Sequence, residues 1–209
     1  MKFERPGREQ SLQRSNSGNK KQLLALAAVL FLASCSTHAE QSPEDLSAEA
    51  LKLMHSGPDQ RELERVLELT GKAIELDRTY QPARSVRINA LIQLGDLNRV
   101  AQEAEAIASI DSNAENRLYA CMAQEMANPG YTGQQSCYSD IADQMEGDGR
   151  SPETDASLLM ALKLANDPRF ESAVWGYIEN QESETAREVA EYLFIESSRD
   201  EVLNSYFSP

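Results

Sequence analysis

Histidine is nearly missing from this sequence. His38 and His55 are the only two in 209 residues, so almost no side chain ordinarily titrates near neutral pH. Neither stands at ligand spacing from any of the three cysteines, and no C-x-x-C occurs. The pattern of a zinc centre is therefore absent, and no cofactor is expected. H-E-x-x-H, G-x-S-x-G and a Gly-rich phosphate loop are also missing, which removes the common routes to metal-assisted, acyl-transfer and phosphoryl-transfer chemistry. Aromatic residues make up only 6% of the chain. Apolar and polar residues nowhere alternate for more than about four positions, so no half-buried strand is expected. Carboxylate pairs such as Glu103 with Glu105 and Glu182 with Glu184 are abundant. In so acidic a chain they arise by chance, and we expect no enzyme.

What is abundant is acid. The chain holds 20 Lys and Arg against 34 Asp and Glu. Six of the basic residues and two of the acidic ones precede Cys35, leaving 14 and 32 beyond it, a net charge of −18. Such a surface repels phosphate backbones and anionic headgroups, which excludes nucleic acid and favours basic or peptide-like protein partners. Ala, Leu and Glu dominate the rest, and all three favour helix over sheet.

The basic residues collect ahead of a short apolar run. Lys20-Lys21 precede Leu23–Ala33, which is apolar throughout. A helix of about 11 residues rises roughly 16 Å, well short of a bilayer core of about 30 Å. The run reads as the apolar centre of a signal peptide, not as a span. It ends in Leu32-Ala33-Ser34-Cys35, which resembles the lipobox of bacterial lipoproteins. That resemblance implies cleavage before Cys35 and acylation of Cys35. Ser36, standing where an Asp would retain the protein at the inner membrane, implies an outer-membrane destination facing the periplasm. The polar stretch Met1–Asn19 is longer than usual for such a signal.

Beyond a polar tether at 36–41, helix signals recur. Ser42-Pro43-Glu44 supplies an N-cap, a first-turn proline and an acid. Leu46, Ala50, Leu53 and Met54 follow at helical spacing, and Gly57-Pro58 ends the segment. Leu63, Val66, Leu67, Thr70, Ala73 and Ile74 form the stripe of a second helix. Pro82 opens a third with Ala83, Val86, Ala90, Leu91 and Leu94, and Gly95-Asp96 breaks it before a fourth with Leu97, Val100, Ala104 and Ile107. A third pair is expected over 113–127 and 134–145, separated by the loop 128–133. Ser151-Pro152-Glu153 repeats the helix start seen at Ser42, and Asp167-Pro168 and Ser183 mark two more. A last short helix carries Val202, Leu203, Tyr206 and Phe207. Short connections make successive helices antiparallel neighbours, and the predicted fold class is all-α.

A repeat runs through the first four helices. Val66 and Val100, Ala73 and Ile107, Leu76 and Ile110, and Asp77 and Asp111 are each 34 residues apart. This period, with Leu94-Gly95-Asp96 at the inter-helix turn and Ala73–Asp77 at a helix end, resembles the tetratricopeptide (TPR) repeat. Arg78 and Ser112 depart from the proline usual there, and Ile88 from a small residue. The resemblance implies antiparallel helix pairs stacked as a TPR-like α-solenoid. The expected organisation is a signal peptide at 1–34, a lipidated tether at 35–41, repeats over 42–147 and a C-terminal helical region with a cap over 148–209.

Several residues are candidates for function. With Cys35 acylated, Cys121 and Cys137 form an even pair in an oxidising compartment, read as a disulfide across one helical hairpin, the alternative being two buried thiols. The resemblance places the first helix of each pair along a concave groove, where Arg84, Arg87 and Asn89 would meet a peptide carboxylate, or the two arginines would pair with neighbouring glutamates. Asp140, Asp143, Glu146 and Asp148 match no calcium loop and read as a solvated helix end. Of the C-terminal aromatics, Trp175 and Phe194 are expected in the core, and Tyr177 and Tyr192 at an exposed interface. The functional expectation is a membrane-anchored scaffold in envelope assembly. The alternative is an envelope enzyme, or a regulator of one that acts on peptidoglycan.

Overall fold

The structure, a computed structural model, describes residues 41–128, 130 and 133–208. Cys35 and the whole targeting segment lie outside the described residues. Among those described are α1 (Pro43–His55), α2 (Gln60–Leu76), α3 (Gln81–Gln93), α4 (Leu97–Ile110), α5 (Ala114–Ala127), α6 (Gln134–Gly147), α7 (Ala156–Ala165), α8 (Pro168–Glu179), α9 (Glu184–Glu191) and α10 (Arg199–Phe207). A π-helical turn, Tyr192–Glu196, prolongs α9. The described residues contain no strand.

From α1 to α9 each helix packs on the next, and α1 also meets α3 and α5 meets α7. This is an all-α solenoid of consecutive helix pairs. The 34-residue period appears in the backbone itself. Asp77 and Asp111 both close a helix in an extended conformation, each donating its N–H to the carbonyl four residues earlier, Ala73 and Ile107. Asp77 then accepts from the Thr79 N–H at 2.8 Å and Asp111 from the Asn113 side chain at 2.9 Å.

The turn inside a pair is repeated as well. Gly95 ends α3 at φ 70 and Asn166 ends α7 at φ 53. These left-handed positions suit Gly and, among other residues, Asn. The following aspartates, Asp96 and Asp167, return their N–H groups to Leu91 and Leu162 at 2.9 and 3.0 Å. Each then caps the next helix. The α7–α8 pair thus reproduces the hairpin of α3–α4.

One helix start differs from expectation. Ser151 does not open α7. Its carbonyl accepts from Thr154 and Asp155 to close a turn, and Asp155 is the N-cap, accepting from Leu158. Arg150, paired with both Asp155 and Glu115, fixes that turn against α5.

Packing shows no break near residue 147. Leu46, Leu63, Val66, Leu69 and Val86 centre the core of the first three helices. A larger core runs from Leu91 and Val100 through Tyr138, Ile141 and Met145 to Leu158, Leu159 and Leu162, and on to Phe194 and Phe207. α7 buries Leu158–Leu162, Leu164 and Ala165 because neighbours surround it, and its apolar residues accordingly lie on nearly every side.

Cys121 on α5 and Cys137 on α6 form a disulfide, with Cα atoms 6.2 Å apart. Replacing both by serine should lower stability by about 3 kcal/mol, the chain-entropy value for a loop of this length. Chemical denaturation of the double variant, and of the native chain with reductant, should give matching losses. A midpoint unmoved in both would show that the bridge does not constrain the unfolded chain.

Candidate partner-binding surface

Clefts follow the face that α1, α3 and α5 present. One, of 310 Å³, is lined by Gln81, Ser85 and Asn89 of α3, Ile107 of α4, and Asn116 and Tyr119 of α5. A second, of 320 Å³, lies between α1 and α3, where Leu51, Met54 and His55 face Asn89, Ile92 and Gln93. Asn89 is exposed and lines both. Carboxamides beside aliphatic and aromatic surface can satisfy a peptide backbone while apolar side chains bury between them.

Arg84 and Arg87 do not join Asn89 there. Both reach Glu103 of α4, with Arg87 Nε 3.0 Å from Glu103 Oε1. Arg84 also donates to the carbonyl of Arg78 at 3.0 Å and Arg87 to that of Leu67 at 2.7 Å. The three side chains retain only 13–16% of their exposure. Burial pulls the Arg87 guanidinium below its ordinary pKa, against the opposing pull of Glu103. The Nε groups of both arginines make no well-angled hydrogen bond. The cations therefore tie α2, α3 and α4 together and are not free to hold a carboxylate.

The C-terminal aromatics exchange two of their expected places. Phe194 is buried and Tyr192 is exposed, as the sequence suggests. Trp175 is 55% exposed, whereas Tyr177 is half-buried with its ring edge-on to Phe194 at 5.3 Å. The cause is helical phase. α8 buries Ala173, Val174 and Ile178, and Trp175 projects from the opposite side. Val189, Tyr192 and Ile195 are also exposed, so the α8–α9 hairpin carries a large share of the exposed apolar surface.

Four polar residues that sequence reasoning missed, Lys163, Arg199, Glu125 and Tyr138, hold the C-terminal elements. Lys163 donates to the carbonyls of Leu193, Phe194 and Ser197 at 2.8, 3.0 and 2.8 Å. These are carbonyls at or beside the π-helical turn, and desolvation pushes the Lys163 pKa down. Arg199 makes a two-pronged pair with Glu125, donates to the carbonyl of Leu164 at 3.1 Å, and lies 5.6 Å over the Tyr138 ring. Tyr138 in turn donates to Glu125 at 2.8 Å. Nothing in the spacing of these residues signals the contacts, because they join positions up to 74 apart in sequence.

Two of the acids near residue 145, Asp143 and Glu146, are engaged as well, while Asp140 and Asp148 are exposed. Asp143, Glu146 and Asp167 surround Arg169 at 2.9, 2.7 and 2.7 Å. Among the described residues no group of three or more His, Cys, Asp or Glu side chains is placed to hold a metal ion. A wider cleft, 530 Å³, lies elsewhere, beside the disulfide and lined by Glu105, Ser109, Arg117 and Gln124. Compared with protein families, curated proteins and solved structures, the chain finds no match in any of the three.

Proposed function

We propose that this is a lipid-anchored scaffold protein of the bacterial envelope, held at the outer membrane through Cys35 and facing the periplasm. Its stacked helix pairs are read as divergent TPR-like repeats. They bind a basic or peptide-like segment of an envelope protein and assist its assembly into a complex. The observation that carries the reading is the lined face of the odd-numbered helices, where Asn89 lies between two clefts of a strongly acidic chain. The net negative charge of the chain attracts a basic segment, and the clefts supply shape and hydrogen bonds. Acyl chains add effective concentration, because a module confined to a membrane meets membrane-bound partners far more often than one in solution.

Cross-linking in cells at native expression, followed by purification and mass spectrometry, tests the reading. A small reproducible set of envelope proteins is expected, reduced by Asn89→Arg, which places bulk and charge at the junction of the two clefts. A set that Asn89→Arg leaves intact would move the interface elsewhere. No reproducible partner at all would overturn the scaffold reading.

A further inference from the structure

The chain's own C-terminal helix lies on the face proposed for the partner. After the π-helical turn, α10 reverses and packs against α5, an odd-numbered helix. Val202, Leu203 and Phe207 retain 1%, 2% and 4% of their exposure. The Phe207 ring sits 5.3 Å from that of Tyr119, which also lines the α3–α5 cleft. Farther on, Tyr206 and Ser208 reach the rim of the α1–α3 cleft beside Asn89 and Ile92. At its other end α10 is held by Arg199 on Glu125, near the C-terminal end of α5. The helix thus crosses α5 and ends beside α3 and α1.

α10 is also built as a separable piece. Its N-terminus is capped from within, Ser198 and Glu201 exchanging hydrogen bonds in a closed box. No group from the rest of the chain is needed for that cap. Asp200, Asn204 and Ser205 face water on the opposite side. What binds it is one cation and three apolar side chains: Arg199, Val202, Leu203 and Phe207. These fall at positions i, i+3, i+4 and i+8, the pattern by which an amphipathic helix docks into a groove.

We infer that α10 is an intramolecular ligand of the odd-helix face, and that a partner helix with the same pattern displaces it. The pattern is a cation, two aliphatic residues one turn later, and an aromatic residue one further turn along. The partner's cation would take Glu125 and its aromatic ring the surface of Tyr119. The free chain would then be closed, and engagement would release the C-terminus. The inference depends on the scaffold reading only for its biological purpose, since the occupancy and its competition can be measured without any partner.

The experiment uses the full-length chain and a fluorescent synthetic peptide that copies residues 197–208. Anisotropy should show the peptide binding an Arg199→Ala/Phe207→Ala chain at least tenfold more tightly than the native one. A peptide lacking its own phenylalanine should lose that binding. Hydrogen exchange of the native chain should show α10 opening faster than α5 and α7. Equal peptide affinity for both chains, or none for either, would overturn the inference. So would α10 amides that exchange only together with α5 and α7, or a double variant whose circular dichroism shows a collapse of the whole fold. Success here with an empty cross-linking result would leave the closed groove standing and remove only the scaffold reading.

Discussion

Replacing Glu103 by alanine should destabilise the protein by about 3 kcal/mol, among the largest effects of any exposed-type residue in the chain. Glu103 is the shared partner of Arg84 and Arg87. Its removal leaves two guanidinium groups, each under one-fifth exposed, facing each other without an anion. Part of the loss is offset because Arg84 retains the Arg78 carbonyl and Arg87 that of Leu67. Glu103→Gln keeps an acceptor but not the charge, so its cost should be about half as large. A triple change to Arg84→Met/Arg87→Met/Glu103→Leu should recover most of the stability, since buried ion pairs exchanged for apolar groups of similar volume are often neutral. Urea denaturation of the three proteins decides the matter. A Glu103→Ala loss below about 1 kcal/mol would mean that water reaches the arginines and that the site is solvated.

That trio also shows where the sequence stops being informative. α3 buries Ala83, Val86, Ile88, Ala90, Leu91 and Ile92, residues that lie on several sides of the helix. α1, α2 and α4 all contact it, so it has little apolar periodicity of its own. Arg84 and Arg87 then look like an exposed polar face when they are in fact turned inward. The repeat is legible for the opposite reason. Val66 and Val100 are fully buried at equivalent positions, and Asp77 and Asp111 end their helices in the same way. Packing and capping were both written into local sequence there. Trp175 was legible in principle, because Phe170, Val174, Tyr177 and Ile178 define a stripe that excludes it. Residue type suggested a core position and helical phase an exposed one, and phase prevails. The return of α10 to α5 had no local signal. Its cap and its apolar pattern specify a helix, but the surface that receives it is assembled from residues as far apart as Asn89, Glu125 and Leu164.

Cys35→Ser should move the protein entirely from the membrane fraction to the soluble periplasmic fraction. The expected completeness follows from charge. With 14 basic and 32 acidic residues beyond position 34, that part of the chain gains nothing from anionic headgroups and is repelled by them. On the proposed reading, membrane affinity therefore rests on acyl chains alone. One chain gives marginal binding, whereas two or three hold a protein stably, at about 0.8 kcal/mol for each buried methylene. Among the described residues no helix is long and apolar enough to cross a membrane. The native protein should accordingly resist high salt, which strips electrostatically bound proteins, and should be released by detergent. Ser36→Asp tests the destination separately: by resemblance to lipoprotein sorting, it should leave the protein acylated but shift it to the inner membrane. A Cys35→Ser protein that still sediments with membranes after a salt wash would sink the anchor reading.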